Sequence, residues 1–170
     1  AQLRCELAVE IMQRGGEIAE VRALLRQALK SDPNCARANI LLGDLESQAG
    51  RYRAAIKAYK AVARQDPSLL PETLDGLEGA CRDYGRPGQF ETFLRGVLRD
   101  YPDGRLMVRL AELVCERLDA SAALTELATL LRRKPTVDGI RRLVSLAHSI
   151  GEPIKSSDLK ILLELFDQIE

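Results

Sequence analysis

Tryptophan is absent from this chain, histidine occurs once, and only four tyrosines and three phenylalanines stand among its 170 residues. Chemistry that depends on those side chains is starved of material. A platform for stacking bases needs exposed aromatics. A catalytic imidazole needs a nucleophile or an orienting carboxylate in reach, and His148 makes no recognisable motif with Asp138 or Glu152. The four cysteines, at 5, 35, 81 and 115, include no Cys-x-x-Cys pair, so a structural zinc site fails on spacing. Cys5, Cys81 and Cys115 fall among apolar neighbours on helical patterns, which reads as buried or half-buried free thiols in a reducing compartment. Neither sign of charge is in excess: 25 Lys plus Arg face 25 Asp plus Glu, whereas a nucleic-acid binder concentrates a basic surplus. No apolar run reaches the roughly 18 residues that span a bilayer, and no charged-then-apolar signal segment opens the chain. An initial Ala inside an amphipathic pattern, in place of Met, reads as a fragment of a longer protein. The expectation is a non-enzymatic chain without a cofactor of its own.

What is present is a core-forming share of apolar residues, 46%, and a repeat. Pro33, Pro67, Pro102 and Pro135 recur at intervals of 34, 35 and 33 residues, and Gly16, Gly50 and Gly85 fall midway between them. Glycine ends a helix by accepting a left-handed backbone, and proline cannot continue one. Each period therefore reads as helix, glycine turn, helix, proline turn. Five such units, about 2–35, 36–69, 71–103, 104–136 and 137–170, occupy the chain; the last turns through Gly151-Glu152-Pro153 into a helix at about 157–169. One unit cannot bury its apolar face alone, so neighbours supply the core.

The second unit carries Leu42-Gly43, then Ala55, Tyr59, Val62 and Pro67. This pattern resembles the tetratricopeptide repeat, with Gly43 and Ala55 at its small positions and Tyr59 at its bulky one. Asn39, Glu46 and Val62 depart from the residues usual there. The resemblance implies an all-α solenoid, a right-handed superhelix whose concave groove is lined by the first helix of each unit. Carried onto this chain, the lining is Leu3, Glu6, Glu10 and Gln13; Arg37, Ile40, Asp44 and Ser47; Glu72, Asp75 and Arg82; Arg105, Val108, Glu112 and Cys115; Asp138, Arg141, Ser145 and His148. Glu6, Glu10, Arg37, Asp44, Glu72, Asp75, Arg82, Arg105, Glu112, Arg141 and His148 are the candidate partner contacts, though each taken singly reads first as a solvated groove residue. Carboxylates at Glu6 and Glu10 would repel a C-terminal carboxylate, so the chaperone-tail receptor use of the fold is rejected. Arg132, Arg133, Lys134, Arg141 and Arg142 form a basic stretch that either attracts an anionic group or is a solvated turn.

A narrower resemblance rests on Ala1-Gln2-Leu3-Arg4-Cys5-Glu6-Leu7-Ala8, on Ala36-Arg37 with Gly43 and Gln65-Asp66, on Glu72-Thr73-Leu74 with Cys81, and on Pro135-Thr136. Through these the chain resembles the lipopolysaccharide assembly protein B family. The resemblance implies an adaptor at the cytoplasmic face of the bacterial inner membrane, helping a membrane-bound ATP-dependent protease degrade the deacetylase that commits lipid A precursors. It also implies an N-terminal membrane anchor and a C-terminal rubredoxin-like domain holding zinc or iron, both outside this stretch. Two other classes compete: the targeting arm of a larger enzyme such as a glycosyltransferase, and a lipid-binding or self-associating module.

Overall fold

The computed structural model describes residues 1–149. Among them are nine α-helices and no strand: α1 (Gln2–Gln13), α2 (Ile18–Ser31), α3 (Ala36–Gln48), α4 (Tyr52–Gln65), α5 (Leu74–Asp83), α6 (Gly88–Asp100), α7 (Gly104–Arg117), α8 (Ala120–Leu131) and α9 (Val137–Ser149). A 3-10 helix, Pro67–Thr73, leads into α5. The turn through Gly151-Glu152-Pro153 and the helix expected at about 157–169 lie outside the described residues. The chain divides into two compact units, Ala1–Phe90 and Glu91–Glu170, with the division inside α6.

The repeat is written in the helix ends. After α1, α3 and α5, Gly15, Gly50 and Gly85 take positive φ of 72°, 69° and 75°. The N–H of the next residue, Gly16, Arg51 or Arg86, then donates to the carbonyl of Ile11, Glu46 or Cys81 at 2.8–2.9 Å. This is the Schellman ending, in which a left-handed residue lets the chain reverse and satisfy an orphan carbonyl. The first left-handed position is thus Gly15 and not Gly16, because Gly15 directly follows the last cap residue, Arg14. Helices α2 and α4 end differently, at Asp32 and Asp66, which have extended backbones and precede prolines that cannot propagate a helix. Their carboxylates accept from the N–H groups of Asn34 and Ser68, at 3.0 and 3.1 Å. The α7–α8 turn has no glycine; Asp119 caps α8 by accepting from the Ala122 N–H at 2.7 Å.

In the first unit the largest fully buried side chain is Tyr59 of α4. A Cβ at Gly43 of α3 or at Gly76 of α5 would overlap the Tyr59 side chain. Tyr59 therefore contacts two helices at once, at positions where any larger residue would push them apart. Its hydroxyl donates to Asp44 Oδ1 at 2.7 Å. Burial, with the neighbouring Asp44 carboxylate, pushes the phenol well above its usual range.

Two polar clusters replace aromatic packing at the departures from the repeat pattern. Glu46, only 3% exposed, accepts from Arg22 Nε at 2.8 Å and also from Arg51. Buried Asn39 donates to Gln65 Oε1 at 2.9 Å, and Gln65 Nε2 donates to the Pro33 carbonyl at 2.6 Å. Glu46 and Asn39 thus each meet a partner, which is the condition for burying a polar group at tolerable cost, while Arg22 Nη2 is buried without one.

In the second unit α7, α8 and α9 pack through Leu106, Leu110, Ala123, Leu127, Leu131 and Ile140. Gly139 lets α9 approach Leu131 and Thr136 closely. Glu91 receives both Nε and Nη2 of Arg117 at 3.1 Å and also pairs with Arg95, which reaches Glu126 at 3.1 Å. Burial alone would raise the Glu91 pKa, but hydrogen bonds from Arg95 and Arg117 outweigh it and hold the carboxyl below its ordinary range.

Gly43→Ala should destabilise the chain by about 1–3 kcal/mol through overpacking against Tyr59, read by urea unfolding. The depressed Glu91 pKa sets the sign of an acid effect. A group more acidic in the fold stabilises above its unfolded pKa, and that stabilisation is lost as pH falls through the folded value. Thermal unfolding on the acid side of the carboxylate range should therefore fall less steeply with pH in Glu91→Gln than in the native chain.

Candidate interaction groove

In the first unit an open cavity of about 830 Å³ lies between α1, the α2–α3 connection and the end of α4. Helix α1 contributes Cys5, Glu6, Val9 and Glu10; the α2–α3 connection and the start of α3 contribute Asp32, Cys35 and Arg37; Gln65 and Asp66 close the far side. Three of the groove candidates, Glu6, Glu10 and Arg37, are thus brought to one concavity. Glu10 pairs with Arg14 at 2.5 Å, and Arg37 stands 3.8 Å from Glu72, both exposed. Such exposed pairs contribute little to stability, so these groups exchange readily for a partner's.

The other candidates lie outside this concavity's lining. Asp44 is engaged by Tyr59, and Ile40, read as groove lining, is 5% exposed and part of the core. Glu72, Asp75 and Arg82 are exposed on or just before α5. In the second unit Arg105 is exposed near Asp103, Arg141 lies 3.4 Å from Asp138, and Glu112 takes Arg109 at 3.0 Å. His148 is exposed near the end of α9. Arg142 of the basic stretch is partly buried, 3.9 Å from Glu112.

All four cysteines are free thiols. Their surprise is a pairing: Cys5 and Cys35, on the cavity wall, have sulfurs 3.9 Å apart. Burial, then the adjacent Cys35, pushes the Cys5 thiol up to about 11. No group of three or more His, Cys, Asp or Glu among the described residues has a metal-binding arrangement. No helix among them is long and apolar enough to cross a membrane.

Helical hairpins ended by glycine and proline turns and clasped by a bulky residue between small ones define a tetratricopeptide-repeat fold. The tetratricopeptide repeat family model matches residues 13–69. Along 99% of its length the chain is 26% identical to lipopolysaccharide assembly protein B of Escherichia coli strain K12. Over 96% of its length it is 28% identical to the protein of the same name from Haemophilus influenzae. It spans 43% and 41% of those relatives, less than half of either. Among solved structures it resembles YrrB, described as a tetratricopeptide-repeat protein with an unusual peptide-binding site. There the TM-score is 0.52 and the identity 14%, over 96% of this chain and 81% of that one.

A thiol held protonated by burial is a poor nucleophile. Under limiting iodoacetamide near neutral pH, Cys35 should be alkylated at least about tenfold faster than Cys5, read by mass spectrometry of peptides from the folded chain.

Proposed function

We propose that this chain is the partner-binding array of an adaptor that works as its relatives' name suggests, in the control of lipopolysaccharide assembly. In this reading it brings a membrane-bound ATP-dependent protease together with the lipid A pathway deacetylase, at the cytoplasmic face of the bacterial inner membrane. The observation that carries the reading is the collinear similarity to lipopolysaccharide assembly protein B over 169 residues. The groove adds a physical means. Its wall combines Glu6 and Glu10 with Arg37 around an apolar strip at Val9 and Leu69, a mixed surface suited to a protein segment. Affinity at such a surface comes from a few desolvated anchors, with charges setting specificity. The metal domain and membrane anchor of the resemblance belong to this proposal too, as parts of the longer protein.

A chimaera tests it. The corresponding stretch of the Escherichia coli relative is replaced by this chain in a strain lacking that relative, and the deacetylase half-life is followed after translation is stopped. Restoration of a short half-life is the expected result. A half-life that stays as long as in the deletion strain, with the chimaera present at normal level, overturns the proposal. In the same chimaera Arg37→Glu should weaken capture of the partner about tenfold, equivalent to roughly 1.4 kcal/mol, in pull-down titrations, with thermal unfolding unchanged.

A further inference from the structure

Cys5 on α1 and Cys35 at the N-cap of α3 are 30 residues apart in sequence, yet their sulfurs stand 3.9 Å apart. The two thiols differ in setting. Cys5 is 3% exposed, while Cys35 is half-buried, and both line the open cavity. Cys35 also sits at the start of a 13-residue helix. Cys81 is buried on α5 and Cys115 lies on α7, in the other unit.

We propose that Cys5 and Cys35 form a dithiol site that hydrogen peroxide converts into a disulfide, tethering α1 to α3 along the wall of the groove. The Cys35 thiolate attacks one peroxide oxygen, the O–O bond breaks, and the departing hydroxide takes up a proton to become water. This leaves a sulfenic acid on Cys35. The Cys5 sulfur then attacks the Cys35 sulfur; the S–O bond breaks, and the hydroxide leaves as water with the proton Cys5 gives up. Two thiols and one peroxide thus yield one disulfide and two waters, the two sulfurs supplying the two electrons.

The roles follow from accessibility: an oxidant in the cavity reaches Cys35, and buried Cys5 is kept for the second step. Forming the bond brings the sulfurs from 3.9 Å to the ~2.05 Å of a disulfide. The bond would close a loop containing all of α2 and so restrain the unfolded chain. It would also hold the first and second hairpins at a set separation on the cavity side, whatever the groove binds.

The test is a peroxide titration of the reduced, folded chain, followed by non-reducing proteolysis and mass mapping. Loss of two thiols, one peptide pair joining Cys5 to Cys35, and reversal by dithiothreitol are expected, with an unfolding midpoint above that of the reduced chain. In Cys5→Ser the Cys35 sulfenic acid should accumulate and be trapped by dimedone; in Cys35→Ser, Cys5 should remain a thiol. Circular dichroism confirms that both variants are folded. The proposal is overturned if all four thiols survive, or if cross-links run to Cys81, Cys115 or a second chain. Oxidation of Cys5 undiminished in Cys35→Ser, or an unshifted midpoint after cross-linking, would also overturn it.

Discussion

Tyr59 is the constraint on which the first unit is built. A phenol ring occupies volume that only two missing side chains provide, one at Gly43 and one at Gly76. The consequence is mutual: the ring cannot be enlarged, and neither glycine can gain a Cβ without moving a helix. Close packing of this kind discriminates sharply between the native arrangement and its near neighbours. The hydroxyl adds direction, because its bond to Asp44 sets which way the ring enters between α3 and α5.

Much of this was legible in the primary structure, since helix endings are local. Glycine and proline act through their own backbones, so a 34-residue rhythm of both predicts hairpins without knowledge of any contact. The small-bulky pairing of Gly43, Ala55 and Tyr59 was legible only through the resemblance to the tetratricopeptide repeat. What escaped was long-range. Asp44 and Ile40 occupy positions that line a groove in an idealised repeat, yet one answers to a tyrosine 15 residues on and the other turns into the core. Glu46 and Asn39 stood out only as departures; that each had found a buried partner depended on Arg22 and Gln65, whose side chains converge only in three dimensions. The proximity of Cys5 and Cys35 was hidden likewise, because spacing of 30 residues says nothing about sulfur separation.

The groove also shows how a repeat scaffold acquires individuality. The frame comes from buried apolar side chains shared by many such arrays, while the wall residues Glu6, Glu10 and Arg37 contribute little to folding and are free to differ. A function carried by such a wall is invisible to composition, which reports only that charges balance. Similarity to lipopolysaccharide assembly protein B along nearly the whole chain therefore adds what geometry alone does not supply, a ground for proposing a class of process.

Gln65 has a consequence for how the unit comes apart. Its amide joins three separate stretches of chain: α4, on which it sits, Asn39 in α3, and the Pro33 carbonyl in the connection from the first hairpin. Fraying of α4 from its C-terminal end would release that carbonyl and that amide together. Local opening in the second hairpin is thus felt at the joint before it, and nearest-neighbour coupling in this stack runs partly through a single side chain.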